Sequence, residues 1–217
     1  MRAIAIIPAR LASTRLPRKI LREIAGRPML AHVVEAARRC PQLADVIVAT
    51  DSDEVLAVCK QNGWHAEMTS PAHRSGTDRV WEVAQRVAAD VYVNVQGDEP
   101  LARPEHISAL LTPMRDTSVL VSTVKTPCSA VDVNNPNVVK VVTDLAGRAL
   151  YFTRATVPFD RDTAGTVHRR GCYVIRIAVH EVGLSEHILR DGARRHCVQS
   201  RDGQSDTRRN DNRELDA

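Results

Sequence analysis

Ala3-Ile4-Ala5-Ile6-Ile7-Pro8-Ala9-Arg10-Leu11-Ala12-Ser13-Thr14-Arg15-Leu16-Pro17-Arg18-Lys19 is a short apolar strand that runs straight into a cationic loop. Ala3 to Ile7 contains no polar residue, as expected of a strand covered on both faces of a sheet. Arg10, Arg15, Arg18 and Lys19 follow it directly. In an open α/β sheet the carboxyl ends of the strands are where ligands sit. Backbone N–H groups in such a loop can cradle phosphate oxygens while Arg and Lys neutralise their charge. The loop lacks the Gly-x-x-x-x-Gly-Lys-Ser/Thr run of a P-loop, and no Gly-x-Gly-x-x-Gly fingerprint of a dinucleotide fold is present. What remains is a phosphate grip made of side-chain cations, with Arg15 and Lys19 four residues apart and able to straddle a triphosphate.

Outward from this loop the same alternation continues. Asp45 to Thr50 and Val91 to Val95 read as a second and a third buried strand. Helical patterns lie between them, over Met29 to Arg39, Asp53 to Asn62 and Thr77 to Ala88, the last with Val80, Val83, Ala84 and Val87 at helical spacing. Ser52 or Asp53 can start the second helix and Gly63 follows its end. The rhythm predicts an α/β fold, a mostly parallel sheet flanked by helices. The middle of the chain changes character. Ser118 to Lys125 and Asn137 to Thr143 are β-branched runs, and Asp144-Leu145-Ala146-Gly147 turns into Arg148 to Thr153 as a hairpin. Gly171 to Ala178 adds a further strand, so a small antiparallel β insertion on the parallel core is expected. Residues 1–200 then form one domain. From Arg201 to Ala217 nine of 17 residues are charged, a segment expected to be disordered because it cannot bury enough apolar surface to offset its ordering entropy.

Composition bounds the function. At 217 residues, 43% hydrophobic and 26% charged, the chain suits one domain with a sizeable core. Aromatic residues make up 3%, too few for the stacking platforms of a single-strand nucleic-acid binder, and no nucleic-acid partner is expected. The net charge of +4 fits an enzyme that grips phosphates. Five widely spaced cysteines without a Cys-x-x-Cys pair argue for a reducing compartment. The opening apolar run stops at Pro8 and Arg10, too short for a signal peptide, and no stretch has the length of a transmembrane helix. A cytoplasmic protein without membrane insertion is expected.

Three further runs carry candidate chemistry. Val95-Gln96-Gly97-Asp98-Glu99-Pro100 lies at the carboxyl end of the third strand, where Asp98 is placed to hold Mg²⁺ opposite a phosphate loop. Gly97 there permits close backbone approach. His73-Arg74-Ser75-Gly76-Thr77-Asp78-Arg79 leads into a helix, with Thr77 as its expected N-cap and N–H donors for an anion. Tyr151-Phe152-Thr153-Arg154-Ala155-Thr156-Val157-Pro158-Phe159-Asp160-Arg161 places two arginines around an apolar turn, suited to clamping a carboxylate.

Together these runs, with Asn135-Pro136-Asn137-Val138-Val139-Lys140-Val141-Val142 between the last two, resemble the 3-deoxy-manno-octulosonate cytidylyltransferases, or CMP-Kdo synthetases, over roughly residues 1 to 162. The resemblance implies a Rossmann-like nucleotidyltransferase fold and the transfer of CMP from CTP to the acidic sugar Kdo, with release of pyrophosphate, for lipopolysaccharide synthesis. It implies Arg15, Lys19 and Asp98 as catalytic residues, with Mg²⁺ on Asp98. Ala9, Arg10, Ser13, Arg15, Lys19, Ser75, Gly76 and Thr77 would hold the nucleotide, and Gln96, Arg154 and Arg161 the sugar acid. A homodimer through the hairpin insertion is also implied. Beyond Asp162 the pattern departs. Arg169 stands where the family carries a sugar-site His, and the run with the second metal carboxylate is missing. Its nearest imitation, Ser205-Asp206-Thr207, is followed by Arg208 and Arg209. This predicts a truncation or shifted frame in the coding DNA. Another nucleotide-sugar synthetase and a non-catalytic CTP-binding remnant are the alternative readings.

Overall fold

The computed structural model describes residues 1–11 and 16–157, and the backbone of 173–175, 179–182 and 196–200. Strand β1 (Ala3–Pro8) is the centre of the molecule. It is followed by the two-residue strands β2 (Glu23–Ile24) and β3 (Arg27–Pro28), which pair as a tight antiparallel turn. Helix α1 (Met29–Arg38) leads to β4 (Leu43–Thr50), helix α2 (Asp53–Gln61) to β5 (His65–Met68), and helix α3 (Gly76–Ala84) to β6 (Val91–Val95). β1 lies between β4 and β6, parallel to both, and β5 adds parallel to β4. This is the expected mostly parallel sheet flanked by helices.

The alternation of β1 explains the two layers. Ala3, Ala5 and Ile7 share one buried cluster with Leu30, Val33, Val34 and Ala37 of α1 and with Val91, Val93 and Val95 of β6. Ile4 and Ile6 point the other way and pack with Ile47, Tyr92, Val80 and Val83. Both faces are therefore covered, and each fully buried Ile or Val side chain contributes about 1.5–3 kcal/mol relative to exposure. Ser52 caps α2, its hydroxyl accepting the Val55 N–H, and Gly63 follows the helix end with φ +64°, as its position in the sequence suggested.

Two expectations are corrected. The N-cap of α3 is Ser75 and not Thr77: Ser75 Oγ accepts the Asp78 N–H at 3.1 Å, and Asp78 Oδ2 accepts the Ser75 N–H at 3.0 Å. This reciprocal box satisfies two donors that a Thr77 cap would leave open. Helix α3 also stops at Ala84 and does not reach Ala88: the Tyr92 hydroxyl donates at 3.3 Å to the Ala84 carbonyl, the acceptor a helical Ala88 N–H would use, and accepts the Ala89 N–H at 3.0 Å. The expected antiparallel β insertion is present and belongs to a second sheet.

Helix α4 (Pro104–Leu111), opened by Pro104, leads to β7 (Val121–Pro127). The short helix α5 (Ala130–Val133) then precedes β8 (Val139–Thr143) and β9 (Ala149–Thr153), which form the expected hairpin. Strand β10 (Tyr173–Ile175) lies antiparallel between β7 and β8. Strand β11 (Val179–Val182) returns to the first sheet as an antiparallel edge on β6, and β12 (His196–Ser200) pairs parallel with β7. The strand orders are β11-β6-β1-β4-β5 and β12-β7-β10-β8-β9. The expectations for 201–217 fall outside the described residues.

Candidate active site

Pro8 ends β1, and its carbonyl forms the floor on which two other loops meet. A Cβ at Gly97 would lie 2.7 Å from the Pro8 carbonyl oxygen, so only glycine lets the turn after β6 approach this closely. At Gly76, the first residue of α3, a Cβ would lie 3.3 Å from Pro8 Cγ and 3.8 Å from Gln96 Nε2. Thus Pro8, Gly76 and Gln96-Gly97 converge at the carboxyl edge of the sheet. Gln96 is oriented by Asn94 inside β6, its Nε2 donating to Asn94 Oδ1 at 3.0 Å.

Lys19, at the end of the cationic run, reaches the same edge. Ala9 extends the ladder of β1, its N–H donating to the Ala49 carbonyl at 2.8 Å, and the exposed Arg10 follows. Arg18 sits in the left-handed region at φ +58°, which costs a non-glycine residue about 1–2 kcal/mol. The Arg18–Glu54 ion pair and a Leu21 N–H bond to the Arg18 carbonyl hold that turn. Its consequence is the direction of the next residue: Lys19 Nζ lies 2.7 Å from Asp98 Oδ2. Both partners are partly exposed, so the pair contributes at most about 1 kcal/mol to stability. Its chemical meaning is that a cation from the first loop and a carboxylate from the third strand's turn share one spot. Ser13 and Arg15 lie outside the described residues.

Serine 75 is exposed at the mouth, but its hydroxyl serves as the cap of α3. Hydrogen bonds from Ser75, by its hydroxyl and then by its backbone N–H, hold the Asp78 carboxyl below the usual carboxylate range. Gly76 and Thr77 occupy the first helical turn, whose N–H groups have no partner within the helix and favour an anion. Glu82 secures the loop from behind. It accepts the Ser70 N–H at 2.8 Å and pairs with His73 and Arg86, and its carboxyl is held low chiefly by the Ser70 bond.

Arg79 has no role readable from the loop motif alone. It is buried, and donates to Asp51 Oδ2 at 2.7 Å and to Thr69 Oγ1 at 2.6 Å. These bonds fasten the first turn of α3 to the carboxyl ends of β4 and β5. A signal existed: an arginine beside Val80 and Val83 on the core-facing stripe calls for a buried partner. Arg154 belongs to the second sheet, just after β9, where its Nη1 donates to the Pro136 carbonyl at 3.0 Å. Arg161 lies outside the described residues. Among the described residues no group of three or more metal-ligating side chains occurs.

A mostly parallel sheet whose carboxyl edge joins a cationic loop, a helix N-terminus and one carboxylate defines a nucleotidyltransferase-type α/β protein. Comparison with known proteins narrows the class. The family described as Cytidylyltransferase matches residues 4–189. A 3-deoxy-manno-octulosonate cytidylyltransferase of Koribacter versatilis is 69% identical over 167 residues, 77% of this chain and 64% of that protein. The enzyme of the same name from Acidobacterium capsulatum is 53% identical over 181 residues, 82% of this chain and 74% of that protein. A solved CMP:2-keto-3-deoxy-manno-octonic acid synthetase complexed with CTP superposes with a TM-score of 0.81 at 34% identity, over 92% of this chain and 90% of that one. The chain belongs to the cytidylyltransferase family, and it spans just under two thirds of the length of the first of these relatives.

Proposed function

We propose that this protein transfers CMP from CTP to Kdo and releases pyrophosphate. The observation that carries the reading is the meeting of Lys19 and Asp98 at 2.7 Å on the carboxyl edge of the sheet, in a chain with these relatives. Arg10, Arg15 and Lys19 neutralise the triphosphate, with Ala9 and Ser13 lining the loop. Ser75, Gly76 and Thr77 present the amino end of α3 to the nucleotide. Gln96, Arg154 and Arg161 orient the sugar acid, the arginines through its carboxylate. The anomeric hydroxyl oxygen of Kdo attacks the α-phosphorus in line. The new oxygen–phosphorus bond forms as the bond to the pyrophosphate oxygen breaks, and the hydroxyl proton leaves to solvent. The protein's part is positioning and charge stabilisation, with Lys19 drawing the negative charge that develops on the phosphates. Asp98 would hold Mg²⁺, which would supply charge neutralisation for the triphosphate; a single carboxylate supplemented by substrate oxygens suits that ion.

The product would serve lipopolysaccharide synthesis, and the cysteine usage supports a cytoplasmic setting. Leu150, Tyr151 and Phe152 are all exposed on the edge strand β9, which supports a homodimer joined through the hairpin. Among the described residues no helix is long and apolar enough to cross a membrane. The test is pyrophosphate release with CTP, UTP, ATP or GTP, with and without Kdo. Release that needs both CTP and Kdo, and is lost in Asp98→Ala, is the expected result. Absence of release with CTP and Kdo would sink the reading.

A further inference from the structure

The run Asn135 to Val142 has no task in the reading above, yet it contains a side chain that should not be where it is. Lys140 lies in β8 among valines and is 1% exposed, among the most buried large side chains described. A buried lysine is unfavourable unless its N–H groups are bonded. Its Nζ donates to the Asn135 carbonyl at 2.7 Å and to the Arg154 carbonyl at 2.9 Å. Lys140 also stands opposite Thr153 in the β8–β9 ladder, so its long arm crosses one residue further, to the point where β9 ends.

The return path is made by Arg154 itself, whose Nη1 donates to the carbonyl of Pro136, next to Asn135. Thr156 Oγ1 adds a bond to Asn134 Oδ1 at 3.0 Å. Two loops, 134–136 and 154–156, are thus tied to each other directly by Arg154 and Thr156 and jointly by Lys140. We infer that Lys140 is the positioning residue of the acidic-substrate subsite: it fixes the backbone of Arg154, so that the guanidinium leaves the loop in one direction. A guanidinium carries five N–H donors, and the bond to Pro136 leaves others for a carboxylate. An apolar residue would fill the strand as well, but would take the Lys140 donor from the Arg154 carbonyl and leave Asn135 only the Val138 N–H, so that Arg154 is free to swing. The inference rests on the reading of Arg154 as a sugar-acid contact.

The test uses the full 217-residue chain and its Lys140→Met, Lys140→Arg, Arg154→Ala and doubly substituted Lys140→Met/Arg154→Ala forms. KM for Kdo and for CTP is measured by pyrophosphate release. Lys140→Met raises KM for Kdo by between about tenfold and a hundredfold, while KM for CTP stays within about twofold. Lys140→Arg, which can still donate to both carbonyls, recovers most of the loss. Adding Lys140→Met to Arg154→Ala changes KM for Kdo little further, because the two act as one unit. An equal rise in both KM values, an unchanged KM for Kdo, or full additivity overturns the inference. If Lys140→Met does not fold, Lys140→Gln takes its place in every arm. If the wild-type chain shows no Kdo-dependent release, the transferase reading fails by itself and amide hydrogen exchange decides about Lys140. Faster exchange confined to 134–137 and 153–157 in Lys140→Met supports the tie; unchanged exchange, or a rise shared by β1, β4 and β6, overturns it.

Discussion

Replacing Gly97 by alanine adds one methyl group at the tightest point of the site. The new Cβ would lie 2.7 Å from the Pro8 carbonyl oxygen, 3.5 Å from Ile7 Cγ2 and 3.7 Å from Ile20 Cγ2. The two apolar contacts are ordinary, but carbon–oxygen contacts settle at about 3.3–3.6 Å, so the turn must retreat by roughly half an ångström or more. Pro8 cannot yield easily, because β1 is laddered to β4 and β6 on either side. Overpacking of this kind costs about 1–3 kcal/mol, which lowers the melting temperature of a domain this size by roughly 2–12 °C. The retreat also carries Asp98 away from Lys19. A displacement of an ångström costs about a hundredfold in rate, so roughly tenfold is expected for half that distance. Thermal melts by circular dichroism and turnover by pyrophosphate release read the two effects. Gly63→Ala is the control: at φ +64° and with open space around it, it should cost about 1–2 kcal/mol and leave turnover unchanged. Gly97→Ala with a wild-type melt, or with no greater loss of turnover than Gly63→Ala, would refute the steric argument.

Arg79→Met should cost about 3–5 kcal/mol in urea unfolding, since it strands the Asp51 carboxylate and takes a donor from Thr69; combined with Asp51→Asn the loss should be less than the sum of the two, and a single-variant loss under about 1 kcal/mol would contradict the buried pair. Ser75→Ala should cost about 1 kcal/mol at neutral pH. Because the folded Asp78 carboxyl is held low, its stabilisation is present above the ordinary carboxylate range and is lost as pH falls through the folded value. The gap between wild type and Ser75→Ala should therefore narrow below about pH 4, and a gap that widens there would count against the capping box. Burial pushes the Cys59 thiol up to about 11, so iodoacetamide at pH 8 should spare it in the folded chain and alkylate it in urea; rapid labelling of folded protein would show the site is open.

The phosphate edge was legible because its parts are contiguous in sequence. Ile6 to Lys19, His73 to Arg79 and Val95 to Pro100 each join an element end to the residues that line the edge. The parallel core was legible for the same reason, as uninterrupted apolar strands alternating with amphipathic helices. β5 escaped notice because His65-Ala66-Glu67-Met68 lies at the sheet's edge with only intermediate or exposed residues and no apolar run. The pairing of β12 with β7 joins segments some seventy residues apart, which no local pattern encodes. Ser75 as the cap is readable from the Ser-x-x-Asp spacing to Asp78, which Thr77 lacks. Arg79 and Lys140 are the instructive cases. Each is a charged residue set in an apolar pattern, which signals a partner, but Asp51 and the Arg154 carbonyl lie far along the chain and emerge only on folding.

Phosphorus NMR of CTP, Mg²⁺ and Kdo over the wild-type chain tests the central claim most directly, since it identifies the product. The expected result is that the three CTP signals give way to pyrophosphate and one sugar-linked CMP signal in equal amounts, only when Kdo is present. CTP that persists unchanged with Kdo, or that decays to CDP or free CMP, would contradict it.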